Sequence, residues 1–426
     1  MALAQMASPH VLAVGLQNGG HNPNFLQWLA EGWAGDPAAG RLTLLVSSTF
    51  AAHHAATAQT IGALDPARIR LLPLTPQEQA RLQAAPPGVL GLPRIRPHTA
   101  RRVQRWREWQ SCRRIASQAG ADHALFINLD FYQFAATWNP AFPCPISGVF
   151  HNLMLHYPQT FSATLSRKQR ATAMLQAWSM RRFLARAHAA TLFCLDPYVV
   201  DILNGWPGRH RAVHLPTPAR ALQTNTNEGI LDDLRRRHAI DPARHVFLML
   251  GGIGPRRGIY PVLDALARLE PAAARQVCLL LVGRQSDRAR LAQAITATAA
   301  AAPVQIVTRD EFIAESEIGA YYALADVVLA THVNHVGTSV SLVQAAAAGK
   351  PVIAAELGLL GALTQRNGLG LTVDSHDPGA IAAALRAMLA APPDHFVDQA
   401  KAQQFAQTHS VDAFVEVLMA HVQAPI

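Results

Sequence analysis

Two kinds of hydrophobic pattern alternate along the chain. Short apolar runs of four to seven residues, typical of buried parallel strands, are separated by longer stretches with apolar residues at helical spacing. We predict strands at residues 11–16, 41–47, 69–74, 124–129, 145–150, 191–195 and 212–215, then at 245–250, 276–282, 304–307, 325–330, 351–355 and 369–373. This alternation predicts an α/β protein with two doubly wound, Rossmann-like domains facing a cleft.

Length supports two domains, because 426 residues exceed what one hydrophobic core usually holds. A polar stretch at 219–228, which contains Asn-Thr-Asn, is the predicted linker. We therefore place one domain at 1–222, a second at 229–394 and a helical tail at 395–426, whose helices we expect to cross back to the first domain.

Composition narrows the class of protein. Hydrophobic residues make up 50% of the chain and charged residues 15%, which is typical of an ordered globular protein. The formal charge of +9 favours an anionic partner. Four scattered cysteines without metal spacing indicate reduced thiols, and neither a signal peptide nor a long apolar run is apparent. We expect a cytoplasmic protein, with any membrane association peripheral.

The stretch 332–354 (HVNHVGTSVSLVQAAAAGKPVIA) predicts the main binding loop. It joins an apolar strand to a helix that begins at Gly337, Thr338 and Ser339. The sequence Gly-Lys-Pro at 349–351 ends that helix. The first backbone N–H groups of such a helix are free to bind an anion, and the loop lies at the carboxyl ends of the strands. A phosphate-bearing ligand, a sugar nucleotide above all, is the predicted occupant. A plain helix cap is the alternative, because Ser and Thr favour that position in any helix.

An ordered set of motifs in the second half resembles the nucleotide-binding domain of GT-B glycosyltransferases, closest to the retaining glycosyltransferase family four. The motifs are GGIGPRRG at 251–258, LVGR at 281–284, the segment 321–329 with Ala325 and Asp326, and GKPVIA at 349–354. The resemblance covers about residues 245–389. The first half resembles the family only in its glycine-rich first loop and a strand that ends in histidine.

The resemblance implies metal-independent sugar transfer, with no cofactor beyond the nucleotide-diphosphate-sugar donor. The implied donor-binding residues are Gly252, Arg256, Arg257, Gly283, Arg284, His335, Gly337, Thr338, Ser339 and Gln344, and His332 also flanks the loop. The chain departs from the family where two glutamates usually stand, because Val336 and Gln344 occupy those positions. Arg257 holds the position of the family's lysine, and its forked guanidinium suits a diphosphate.

In the first half, polar residues follow predicted strands. His151 resembles the family's strand-end histidine, and Asp130 would be the base that deprotonates an acceptor if the reaction inverts the anomeric centre. A structural histidine and a turn aspartate are the alternatives. Gly19, Gly20 and His21, in the loop after the first strand, are predicted to line the acceptor side.

Two basic helices are predicted at 99–119 and 165–189. The first places arginines and Trp106 and Trp109 on one side, which suits an anionic membrane surface or an anionic acceptor, or equally a solvated basic face. No zinc-finger, RNP or helix-turn-helix signature accompanies the arginines, so nucleic acid is not expected. Residues 86–98, rich in Pro and Gly, are predicted to form a surface loop.

These features together predict a hexosyltransferase-type enzyme of polysaccharide biosynthesis. It would move a sugar from a nucleotide-diphosphate sugar, such as a UDP-sugar, to a hydroxyl of a cell-envelope or lipid-linked glycan. The alternatives are a nucleotide-sugar epimerase on the same fold and a catalytically impaired nucleotide-sugar-binding scaffold.

Overall fold

A computed structural model describes residues 9–19, 22–84, 97–138, 141–157, 167–186, 189–222 and 228–423. The described chain divides into two compact units. The first unit extends to Leu215 and also includes the C-terminal residues from Phe414 onward. The second unit extends from Pro216 to Ala413. The tail is therefore shared, since 395–413 lies in the second unit and the residues after it lie in the first.

The first unit is built on a seven-stranded parallel sheet in the order β3-β2-β1-β4-β5-β6-β7. Its strands are β1 (His10–Gly15), β2 (Arg41–Val46), β3 (Ile69–Pro73), β4 (His123–Phe126), β5 (Ile146–Phe150), β6 (Ala189–Cys194) and β7 (Arg211–His214). Its helices are α1 (Asn22–Gly35), α2 (Phe50–His53), α3 (Ala55–Gly62), α4 (Pro76–Gln83), α5 (Pro97–Ala119), α6 (Gln133–Trp138), α7 (Arg167–Arg186) and α8 (Val200–Asn204).

The second unit has a six-stranded parallel sheet in the order β10-β9-β8-β11-β12-β13. Its strands are β8 (His245–Leu250), β9 (Val277–Val282), β10 (Gln305–Arg309), β11 (Val327–Ala330), β12 (Val352–Ala355) and β13 (Gly370–Val373). Its helices are α9 (Glu228–Arg237), α10 (Ile259–Leu266), α11 (Pro271–Ala274), α12 (Arg288–Ala301), α13 (Glu315–Leu324), α14 (Val340–Ala347), α15 (Gly358–Arg366), α16 (Pro378–Ala390) and α17 (Gln399–Thr408), and α18 (Val411–Val422) follows at the unit boundary.

The predicted doubly wound architecture is confirmed in both units, because every predicted strand forms and all strand pairs are parallel. Most core strands are buried over nearly their whole length, as their continuous apolar runs require. In each sheet the strand order reverses beside the first strand, between β1 and β4 and between β8 and β11. Ligands of such sheets bind outside the carboxyl ends of the strands at this point.

Some predicted elements differ from the observed ones. Glu228, placed at the end of the linker, begins α9, and residues 223–227 of that linker lie outside the described part of the chain. Helix α15 was not predicted. The proposed surface loop falls mostly on 85–96, also outside the described residues, and α5 begins at Pro97. Trp109 does not share an exposed face with the arginines, because it is 1% exposed and packs against Phe126 and Phe142.

Candidate functional site

Two loops meet at the carboxyl edge of the second sheet, one after β8 and one after β11. The backbone N–H of Val333 donates to the carbonyl of Arg256 at 3.0 Å. Gly258 has a positive φ of 80°, and a Cβ there would lie 1.9 Å from the carbonyl oxygen of Thr331. Only glycine allows the two backbones to approach this closely.

A third loop, after β9, packs on the first. Gly283 has φ +127°, and a Cβ on it would lie 2.0 Å from the carbonyl oxygen of Gly251. The N–H of Ile253 donates to the carbonyl of Arg284 at 2.9 Å, and the N–H of Ser286 donates to the carbonyl of Ile253. Gly283 therefore allows the glycine-rich loop to rest on its neighbour, while the Arg284 side chain itself is exposed.

Arg257 lies at the junction of these loops, and its guanidinium is half-buried. Nη1 donates to Nε2 of His332 at 2.7 Å, and Nη2 donates to Oγ of Ser341 at 2.9 Å and to the carbonyl of Leu250. His332 is 7% exposed, and its Nδ1 donates to the carbonyl of Ala330 at 3.2 Å. Nε2 of His332 is therefore the unprotonated nitrogen, because it accepts from a cation.

Burial lowers the pKa of His332 to about 3, and the neighbouring charge of Arg257 acts in the same direction. Burial likewise lowers the pKa of Arg257. Within the described residues no carboxylate pairs with Arg257: the charged or ionisable groups that act on it are Arg256 and Tyr322. Its Nε is buried without a hydrogen-bond partner. The site thus holds a partly desolvated positive charge that a bound anion would neutralise.

The N-terminus of α14 lies beside this charge. Ser339 is the N-cap and accepts from the N–H of Ser341 at 3.3 Å, so Ser341 links the helix start to Arg257. The hydroxyl of Thr338 is buried without a partner, and Gly337 is buried. Nε2 of His335 contacts the carbonyl of Thr338 at 3.0 Å. The positive end of the helix dipole and an unpartnered buried hydroxyl both suit anion binding.

The remaining predicted donor residues lie on the same loops or on α14. Arg256 is exposed, and its Nη2 contacts Nδ1 of His335 at 3.3 Å. The rings of His335 and His332 are 5.0 Å apart. Gly252 is exposed with open space where a Cβ would stand. Gln344 lies half-buried on α14, one turn beyond the N-cap.

In the first unit, Asp130 and His151 form a pair. Asp130 lies in a 3-10 turn after β4, and His151 follows β5. Asp130 Oδ2 accepts from the backbone N–H of His151 at 2.7 Å and lies 3.3 Å from its Nδ1, while Oδ1 accepts from the N–H of Asn152 at 3.3 Å. The ring of His151 stacks on Phe25. Asp130 is thus engaged in orienting His151, and the Nε2 of that histidine is directed away from the pair.

The loop after β1 is held by its neighbours through Asn18. Its side chain bonds Ser47 at 2.6 Å and Thr49 at 2.9 Å, and its carbonyl contacts His54 at 2.8 Å. Gly19 is exposed with nothing near the position of a Cβ. The predicted acceptor residues Gly20 and His21 lie outside the described residues.

Two functional candidates were missed from sequence. Ser341 contacts Arg257, yet a serine in the first helical turn has no distinctive signal. His156 Nε2 lies 2.6 Å from Asp196 Oδ2 in a nearly fully buried pair that also contacts Tyr157. Burial raises the pKa of the Asp196 carboxyl and lowers that of the His156 imidazole, so burial favours the neutral form of each group. No sequence pattern joins residues forty positions apart.

The part of the chain that the structure describes offers neither a metal cage nor a membrane span. It contains no group of three or more His, Cys, Asp or Glu side chains arranged to hold a metal ion. None of the helices described here combines the length and apolar character needed to cross a bilayer.

Comparison with known proteins agrees with this geometry. Residues 244–391 match the family described as Glycosyl transferases group 1. No curated protein sequence matches the chain. Sucrose-phosphate synthase from Thermosynechococcus elongatus is similar in structure, with a TM-score of 0.65 at 15% identity over 97% of this chain and 98% of that one.

Two other solved structures are similar over nearly the whole chain. Anabaena Alr3699/HepE in complex with UDP and glucose has a TM-score of 0.62 at 17% identity, covering 97% of this chain and 98% of that one. WaaG, a glycosyltransferase involved in lipopolysaccharide biosynthesis, has a TM-score of 0.62 at 13% identity, covering 98% and 100%. The predicted resemblance and fold class are confirmed: the chain has the GT-B fold, and its residues 244–391 match the glycosyl transferases group 1 family.

Proposed function

We propose that this protein is a glycosyltransferase that moves a sugar from a nucleotide-diphosphate sugar to a hydroxyl acceptor. One observation carries the proposal. Arg257, beside the N-terminus of α14, holds a positive charge that no carboxylate of the described chain neutralises. A diphosphate would supply the missing negative charge.

The donor diphosphate would bind Arg257 together with the N–H groups at the start of α14. The Thr338 hydroxyl would gain the partner it lacks, and exposed Arg256 and the ring of His335 would approach the same anion. Gln344, farther along α14, would donate or accept a hydrogen bond to the ribose hydroxyls. Gly252 and Arg284, on the adjoining loops, complete the proposed donor side.

The same groups would stabilise the reaction. When the glycosidic bond to the donor phosphate breaks, charge develops on the departing diphosphate. Fixed N–H dipoles and a guanidinium already held by Ser341 and Leu250 stabilise that charge without rearranging. His151, oriented by Asp130 and Phe25, is proposed to serve the sugar or acceptor through its Nε2. In this arrangement Asp130 positions a histidine and is not itself the base.

The first donors to test are UDP-sugars, because HepE, which is similar in structure, has been solved in complex with UDP-glucose. A cell-envelope glycan is the proposed acceptor class, in keeping with the involvement of WaaG in lipopolysaccharide biosynthesis. The reaction would take place in the cytoplasm, with the nucleotide sugar as the only small partner and without a further cofactor. Nothing in the described site favours the epimerase alternative.

The scaffold alternative rests on Val336 and Gln344, which replace two family glutamates. The loss removes negative charge from the donor side but leaves Arg257 and the helix start in place. Nucleotide binding without turnover is therefore the outcome that the scaffold alternative predicts.

A two-stage experiment separates these possibilities. Thermal unfolding with UDP, GDP, ADP and their sugars should reveal one nucleotide that raises the stability, by about 2.7 kcal/mol at a hundredfold excess over its Kd. Product analysis then follows with that donor alone and with glycan acceptors. Transfer that requires an acceptor supports the proposal, a new sugar isomer from donor alone supports an epimerase, and binding without turnover supports a scaffold.

A further inference from the structure

The first unit exposes a continuous patch of aromatic and arginine side chains, which we call the Trp–Arg surface. It comprises Trp106 on α5, Phe131 in the turn before α6, Trp138 on α6, and Met174, Leu175 and Trp178 on α7, with Arg102, Arg181 and Arg182 among them. Of the eight large hydrophobic side chains that the described residues expose, these six lie on elements that adjoin one another. Such clustering marks an interaction surface, whereas single exposed apolar residues do not.

The members of the surface contact one another. The rings of Trp138 and Trp178 are 6.0 Å apart, and the guanidinium of Arg182 lies over both, at 4.8 and 5.2 Å. A concavity of about 270 Å³ joins α5 to α6, with Trp106 and Trp138 in its lining. Arg102 covers Phe134 there at 4.8 Å. The apolar patch is therefore one surface across three helices.

The ionisable side chains of α5, α6 and α7 are almost all basic. Helices α5 and α7 each contain six lysines and arginines, and the only acidic residue on α5, α6 and α7 is Glu108. Glu108 is 2% exposed and is engaged by Arg105 and Tyr132. Arg102, Arg181 and Arg182 lie on aromatic rings and form no ion pair within the described residues. The exposed surface thus lacks a compensating negative charge.

We propose that the Trp–Arg surface docks on a bilayer of anionic phospholipid. Tryptophan rings favour the boundary between headgroups and hydrocarbon, and arginines stacked on them reach the phosphates. Met174, which is 75% exposed, and Leu175 present flexible aliphatic side chains. Such side chains pack against lipid acyl chains better than against the bases of a nucleic acid. A second copy of the chain is disfavoured, because two basic surfaces would repel each other. A soluble glycan is disfavoured, because the lining of the concavity between α5 and α6 offers it few polar groups.

Vesicle co-sedimentation of the full chain, without nucleotide, tests this directly. The protein should bind vesicles of phosphatidylcholine and phosphatidylglycerol, and only weakly phosphatidylcholine alone, with binding lost at high salt. Trp138→Ser with Trp178→Ser should remove binding, while Phe312→Ser, an exposed apolar side chain of the second unit, should leave it unchanged. Arg181→Gln should weaken binding to anionic vesicles about fivefold.

Equal binding to neutral and anionic vesicles, or unchanged binding of the tryptophan variant, would overturn the proposal. The proposal would also be overturned if the wild type bound no vesicles. In that case, loss of self-association or of RNA binding in the tryptophan variant would identify a different partner for the surface. A nucleotide-induced thermal shift that the variant retains shows that its fold is intact. Because no sugar transfer is measured, failure here leaves the proposed function standing.

Discussion

Arg257 donates from Nη1 to Nε2 of His332 at 2.7 Å, so a half-buried cation is held by a neutral ring. An acidic partner in that position would neutralise the guanidinium and leave little attraction for a ligand phosphate. The histidine satisfies one N–H of the fork and leaves the positive charge in place. This pairing explains how an arginine can be prepared for an anion without being closed into an ion pair.

The pairing makes stability depend on pH. The pKa of His332 is lowered from 6.5 to about 3 in the fold, so its contribution is complete above about pH 6.5 and is lost as the pH falls toward 3. His332→Gln should reduce the slope of unfolding free energy against pH in that window by up to about 1.4 kcal/mol per pH unit. Denaturant titrations from pH 4 to 8 measure this slope, and His53→Gln, at an exposed histidine, is the control. Equal slopes in wild type and His332→Gln would contradict the pairing.

Loop packing gives a second prediction, from a matched pair of glycines. Gly283→Ala places a Cβ 2.0 Å from a carbonyl at a positive φ and should cost at least about 1–3 kcal/mol of stability. Gly252→Ala, on the neighbouring loop, meets open space and should change stability by less than about 0.5 kcal/mol. Thermal unfolding compares them, and similar losses in both would show that the loop contact is not close.

The pair in the first unit predicts graded effects on activity. His151→Ala should lower kcat on the order of 10²-fold if its Nε2 serves the reaction. Asp130→Asn should lower kcat less, because an amide oxygen still accepts one of the backbone N–H groups that position the ring. Steady-state kinetics with saturating donor measure both. A larger loss in Asp130→Asn than in His151→Ala, at unchanged stability, would make the carboxylate the reacting group.

Restoring a glutamate at position 344, where the chain departs from the family, is predicted to increase nucleotide affinity. Gln344→Glu would supply a charged acceptor to the ribose hydroxyls, and a hydrogen bond to a charged group contributes about 1 kcal/mol more than a neutral one. Nucleotide affinity should rise about fivefold by calorimetric titration. Gln365→Glu, at an exposed position of α15, is the control for the added charge. An unchanged affinity would place the ribose away from α14.

Sequence predicted the strands and the positions of the glycine-rich loops that follow them, because both depend on local pattern. Continuous apolar runs specify strands in a parallel sheet, and Gly349, with φ +63° after α14, ends its helix as the motif predicts. The helix start at Ser339 followed from ordinary capping preference. These features are set by neighbouring residues.

Contacts between distant residues could not be predicted in the same way. The arginine of the GGIGPRRG loop was recognised, but its partners His332 and Ser341 lie 75 and 84 residues away. Helical projection placed Trp109 with the arginines, whereas the core formed by Phe126 and Phe142 encloses it. Tertiary packing decides which side of a mixed helix is buried, and the sequence of one helix does not contain that information.

Calorimetric titration of UDP, and of whichever nucleotide the thermal panel favours, into wild type, Arg257→Ala and Arg268→Ala tests the central claim most directly. Arg268 is an exposed arginine of the same unit and serves as the matched control. Loss of a charge-assisted bond of about 1.5–3 kcal/mol should weaken binding by Arg257→Ala roughly 10- to 150-fold, with Arg268→Ala unchanged. Equal affinity in all three proteins would show that the diphosphate does not bind at Arg257.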